Sequence, residues 1–145
     1  MAAKLSAKAQ EEVEFLEGVL TICTHLSAAV EQYAGAKVKS AGDMYLQQIT
    51  RALTQLRQKA MIKNLGFVAD AAGILGVAAG RGSQVQRTRT IREGVVSLKQ
   101  LVERTIKATI DTDQREKAQK EREKVAAAAS DAATKSATKA TEGGH

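Results

Sequence analysis

Residues 65–82 read LGFVADAAGILGVAAGRG. From Leu65 to Gly80 this stretch holds four Gly, five Ala, six larger apolar side chains and one charge, Asp70. Phe67, Ala71, Ile74 and Ala78 recur at spacings of three and four, the period of a helix face. Small residues along such a face let another backbone approach closely. The two glycines of Gly80-Arg81-Gly82 end the helix. Ser83 with Gln86 then forms the S-x-x-Q pattern of a capping box, which starts the next helix.

The surrounding chain agrees with an all-α fold. Its 145 residues suit one domain and contain no Pro, the strongest helix breaker. Two Phe, two Tyr and no Trp give little support to a β-rich fold, whose strands favour aromatic residues. Ala, Leu, Gln, Glu, Lys and Arg have high helix propensity and dominate the composition.

Upstream, the spacing predicts a first helix from about Leu5 to Ala34. Leu16, Val19, Cys23, Leu26, Val30 and Tyr33 make its apolar stripe, widened by Phe15, Leu20 and Ile22. Gly35 is placed to close it in a left-handed conformation. Ala36–Gly42 reads as a loop, with Asp43 as the N-cap of a second helix. Leu46, Ile49, Leu53, Leu56 and Ala60 form the seam of that helix. At Asn64–Gly66 two readings stand: a break, or a kinked helix continuing to Gly80. Unbroken helices would run roughly 45, 57 and 63 Å at 1.5 Å per residue, lengths awkward for a compact monomer that favour self-association.

Downstream, Ile91, Val95, Leu98, Val102 and Ile106 define the face of the last helix, whose stripe stops at Ile110. Residues 111–124 carry ten charges in fourteen positions. Asp111 with Arg115, Asp113 with Lys117 and Glu116 with Lys120 support a solvated helix that projects from the bundle. Residues 125–145 are rich in Ala, Thr, Ser and Lys and read as a flexible, disordered tail. The expected architecture is an elongated antiparallel bundle of three or four helices over residues 1–110, followed by the charged extension and the tail.

Charge is unevenly distributed. Residues 1–34 carry two Lys against five Glu, whereas residues 35–64 carry six basic groups against Asp43. Residues 81–110 carry seven basic groups against Glu93 and Glu103. The net charge of +6 therefore sits on two arms around the apolar stretch. Arg51, Arg57, Lys59 and Lys63 lie on one, and Arg81, Arg87, Arg89 and Arg92 on the other. Such a field attracts anionic partners.

The sequence argues against several kinds of chemistry. Cys23 lies in the apolar stripe, where a thiol is usually inert, and as the single Cys it forms no internal disulfide. His25 falls on the opposite, exposed side. It invites comparison with histidine phosphotransfer domains, but the Lys and Gly expected after such a His are Leu26, Ser27 and Ala28 here. Glu11, Glu12, Glu14 and Glu17 lack the His partners of a di-iron bundle and suit a helix N-terminus. Gly76–Ser83 lacks the Lys and the preceding strand of a phosphate loop. Free N–H groups at Ser83–Gln86, with Arg81 and Arg87 near, are a weak anion site.

No catalytic group, cofactor or metal site is expected. Neither a signal peptide nor a run of roughly 20 apolar residues is evident, which gives a cytoplasmic expectation. The leading reading is a non-enzymatic helical assembly protein, a homo-oligomer or the partner of another helical protein. It would associate through Ala69, Gly73, Gly76, Val77 and Gly80, residues that alternatively pack against the first helix of the same chain. The alternatives are nonspecific nucleic-acid binding through the basic arms and peripheral association with an anionic membrane.

Overall fold

The computed structural model describes residues 5–143, with side chains through residue 129. It is all-α, with four helices: α1 (Ala7–Gly35), α2 (Lys39–Ile62), α3 (Gly66–Ala79) and α4 (Gln84–Gly143). Each helix packs on the next, and α4 closes the ring against α1. Among the described residues the backbones of α1 and α3, and those of α2 and α4, do not approach closely. The four helices thus stand at the corners of an up-down-up-down bundle.

Helix α1 starts where Ser6 leaves the extended conformation and its hydroxyl accepts a hydrogen bond from the Ala9 N–H at 3.2 Å. Ala9, Val13, Leu16, Val19, Cys23, Leu26, Val30 and Tyr33 are buried along it. That is the expected stripe, extended by Val13 and Ala9, about two turns at its start. Gly35 is not the left-handed cap the sequence suggested. It stays helical, and Ala36 ends the helix in an extended conformation at φ −70° and ψ 120°. Correspondingly, Asp43 does not cap α2. The helix begins at Lys39, and Gly42 in its first turn is buried against the Tyr33 ring.

The ambiguity at Asn64–Gly66 resolves as a break. Asn64 adopts φ 59°, the left-handed region that Asn tolerates better than most residues. Its N–H donates to Met61 O at 3.1 Å, and the Leu65 N–H donates to Ala60 O at 2.9 Å. These two bonds are those of a Schellman motif, built here without Gly. The chain then folds back, so the 57 Å second helix does not form, while α1 keeps 29 residues and α4 runs to 60.

The turn between α3 and α4 forms as its sequence indicates. Gly82 has φ 85°. The Gln86 N–H donates to Ser83 Oγ at 3.2 Å, and the Ser83 N–H donates to Gln86 Oε1 at 3.0 Å. A Cβ on Gly82 would lie 2.5 Å from Gln86 Oε1, so glycine serves both the backbone and the cap.

The core joins the α1 stripe to Ile49, Leu53, Leu56 and Ala60 of α2, to Val68, Ala69, Ala72, Leu75 and Ala79 of α3, and to Ile91, Val95, Leu98 and Val102 of α4. Truncating a fully buried member such as Leu56 to Ala costs about 2–5 kcal/mol in cores of this kind. Polar bonds hold the α1–α4 pair at both ends. Gln84 Nε2 donates to Tyr33 O at 2.7 Å and to Ala36 O at 3.0 Å. At the other end the Ser6 N–H donates to Asp113 Oδ2 at 3.0 Å. Docking of α4 on α1 therefore reaches past Ile110 to Asp113, which is buried. From Arg115 outward the charged helix projects, and residues 118–129 are exposed throughout. Most of the segment read as a flexible tail lies outside the residues whose side chains are described.

Candidate functional site

Helix α3 has two unlike faces. Val68, Ala69, Ala72, Leu75 and Ala79 are buried between α2 and α4. The outward face carries Asp70, Gly73, Ile74 and Val77, with Ile74 70% and Val77 55% exposed. These residues line a shallow groove together with Arg57 of α2. The Arg57 side chain lies across Gly73, where an added Cβ would sit 3.6 Å from its Nε. Asp70 is exposed and carries no burial cost. Three ion pairs occur among the described residues, and neither Arg57 nor Asp70 belongs to one. The groove thus offers a cation, an anion and two aliphatic side chains over a glycine floor.

The five residues expected to mediate close packing separate. Ala69 is core, 5% exposed, and faces into the bundle. Gly73 and Val77 lie in the groove. An added Cβ at Gly76 would meet nothing within 4 Å, and at Gly80 only the Val77 carbonyl oxygen at 3.5 Å. Their helix lies beside α2 and α4, with the α1 backbone diagonal to it, and of the five Ala69 alone belongs to the core that α1 shares. The glycine that does admit a neighbour is Gly94 on α4, where a Cβ would lie 2.0 Å from Leu75 Cδ2. Sequence reasoning passed over it, although Gly amid the Ile91–Val95–Leu98 repeat was a signal. An interior helix glycine costs up to about 1 kcal/mol relative to Ala and invites a packing reason.

The basic residues divide as well. Arg51, Arg57, Lys59 and Lys63 line α2, and Lys63 Nζ lies 2.6 Å from Glu11 Oε1. Arg92 grips Glu31 through two bonds, Nε to Oε1 at 2.8 Å and Nη2 to Oε2 at 2.9 Å. These partners hold the Glu11 and Glu31 carboxyls below their usual range, through the hydrogen bond first in each case. Arg87 Nη2 donates to Gly80 O at 3.3 Å. Arg81 and Arg89 stay exposed at the α4 end of the bundle. The two arms lie on the diagonal helices α2 and α4, whose backbones do not approach closely.

His25 is exposed, as its place on the helix predicts. Cys23 is 1% exposed, and burial raises its thiol pKa against a smaller opposing influence of Lys99. The reciprocal cap uses the Ser83 and Gln86 N–H groups, which removes two of the donors from the weak anion site.

Among the described residues one helix, α1, is long and apolar enough to cross a membrane, with a mean hydropathy of 1.4 over 18 residues. In the bundle its apolar stripe is core, and its outer side carries Glu11, Glu14, Glu17, Thr24 and His25. No family model, curated protein or solved structure matches the chain.

Proposed function

We propose that this protein is a helical assembly module that pairs with a second copy of itself through the outward face of α3. The observation that carries the reading is the α3 groove, where Ile74 and Val77 remain exposed beside Arg57 and Asp70. A two-fold interface presents the same patch from both sides, so residues must be complementary to themselves as a set. In an antiparallel α3–α3 pairing, Asp70 of each copy faces Arg57 of the other, and the aliphatic side chains pack over the Gly73 positions. Small side chains there permit the short interaxial distance that such a crossing needs.

Nucleic-acid binding has less support. Backbone contacts from separate basic arms suffice for weak, salt-dependent binding. Base stacking needs exposed aromatic rings, whereas Tyr33 is buried and Phe15, Tyr45 and Phe67 are half-buried in the core.

The test is light-scattering mass at increasing protein concentration. The wild-type chain is expected to exceed the monomer mass, and Ile74→Glu with Val77→Glu to return it to monomer with helicity retained. Asp70→Arg alone should weaken the dimer, and Asp70→Arg with Arg57→Asp should restore it. A monomeric wild-type chain, or an oligomer indifferent to these changes, refutes the reading.

A further inference from the structure

The end of the bundle where α1 finishes and α2 and α4 begin has a composition unlike the rest of the surface. Gln84 brings the first turn of α4 against the last turn of α1 through its bonds to Tyr33 O and Ala36 O. Val38, in the α1–α2 connection, and Val85, in that first turn, are thereby placed at one end, 63% and 75% exposed. Met44, one turn into α2, is 48% exposed. Lys37 and Lys39 line one cleft with Val38, Arg89 lines another with Val85, and Arg81 lies in the α3–α4 turn; all four are exposed and absent from the ion pairs among the described residues. The carboxylates at this end are Glu31, which Arg92 neutralises, Asp43, which shares a cleft with Arg87, and Glu93. Acidic groups otherwise gather towards the start of α1, at Glu11, Glu12, Glu14 and Glu17.

We infer that this end docks on an anionic lipid bilayer, with the four cations at the headgroups and Val38, Val85 and Met44 entering the interface. Two observations together select that partner. Cations alone would suit any polyanion, but exposed aliphatic side chains set among them gain nothing from phosphates in water and do gain from the acyl boundary. Exposed aromatic rings, which a single-stranded nucleic acid would stack on, do not occur among the described residues. Juxtamembrane cations attract anionic lipid additively and lose that attraction within a Debye length. This surface is separate from the α3 groove, so docking and self-association stand or fall independently.

The experiment is flotation of the full-length protein with vesicles of phosphatidylcholine alone and with phosphatidylserine added, at two salt concentrations. Flotation is expected with the anionic vesicles only and should fall as salt rises. Each cation removed should lower partitioning roughly five-fold, so Arg81→Ala with Arg89→Ala should lower it about 25-fold. Val38→Ser with Val85→Ser, which keeps every charge, should lower it about ten-fold. All four side chains are exposed, and circular dichroism checks that each variant keeps the wild-type helicity. No flotation, equal flotation with neutral vesicles, or indifference to either pair of substitutions overturns the inference. Tighter binding to a single-stranded oligonucleotide, unaffected by the Val pair, assigns the cations to nucleic acid and overturns it as well.

Discussion

Replacing Gly94 with Ala should destabilise the protein, although Ala is the better helix former. A methyl group at Gly94 would sit 2.0 Å from Leu75 Cδ2 and 3.0 Å from Leu75 Cγ. Ordinary carbon contacts lie near 3.5–4.0 Å. Rotating only the end of the leucine leaves the Cγ contact in place, and Leu75 is 4% exposed with core on its other sides. Overpacking of this kind costs about 1–3 kcal/mol. The gain in helix propensity returns up to about 1 kcal/mol. Gly18 is the control, being exposed in the interior of α1 with nothing within 4 Å of an added Cβ. Gly18→Ala makes the same chemical change without the collision and should stabilise by about 0.5–1 kcal/mol. The two variants should therefore differ by about 1–3 kcal/mol. At roughly 4 °C per kcal/mol for a chain of this size, that separates their melting temperatures by about 4–12 °C. Thermal melts give the difference, and urea titration with an unchanged slope confirms that it lies in stability. Adding Leu75→Ala should make Gly94→Ala nearly harmless, a coupling of about 1–2 kcal/mol. Equal shifts for Gly18→Ala and Gly94→Ala would show that α3 and α4 do not meet at Gly94.

At the α2–α3 break, Asn64→Gly should be neutral or slightly stabilising, while Asn64→Ala should cost about 1 kcal/mol for its left-handed backbone; identical urea midpoints would count against the turn. The hydroxyl and then the backbone N–H of Ser6 hold the Asp113 carboxyl below its usual value near 3.8, and Lys117 Nζ at 3.6 Å acts in the same direction. Folding thus favours the carboxylate, and its stabilisation is complete well above pH 3.8 and fades as pH falls through the lowered value. Asp113→Asn should reduce stability at neutral pH and lessen its loss on acidification, a difference that melts across pH 3 to 7 would detect or deny. Cys23 should react with a thiol reagent only as the protein unfolds, the rate rising through the urea transition; labelling of the native state at the rate of a free thiol would contradict its burial.

Much of the bundle was legible in the chain because apolar spacing acts locally. Leu16 to Tyr33, Ile49 to Ala60 and Ile91 to Val102 each repeat at three and four, and each proved to be a buried face. The reciprocal Ser83–Gln86 cap was equally readable, since both partners lie within one turn. Local cues failed where a contact distant in sequence decided the outcome. Gly35 and Asp43 looked like helix ends by residue type, but Gly35 stayed helical and α2 started at Lys39, with Gly42 buried against the Tyr33 ring. Asn64 could serve a kink or a break with the same left-handed backbone, and its sequence neighbours did not choose between them.

The candidate site shows the same division. Composition determined that α3 is apolar and rich in small residues, and that cations flank it on both sides. Only tertiary structure decided which small residues matter. Ala69 turned inward, Gly76 met open space, and Gly94, outside the marked stretch, became the place where Leu75 enters α4. Asp113 likewise looked like one charge of a solvated helix until it met the first turn of α1 across 107 positions of chain. Helical periodicity is written in neighbours three and four residues apart, and a sequence carries it whole. Which face meets which helix depends on how the turns aim the helices, and that is settled when the four of them pack.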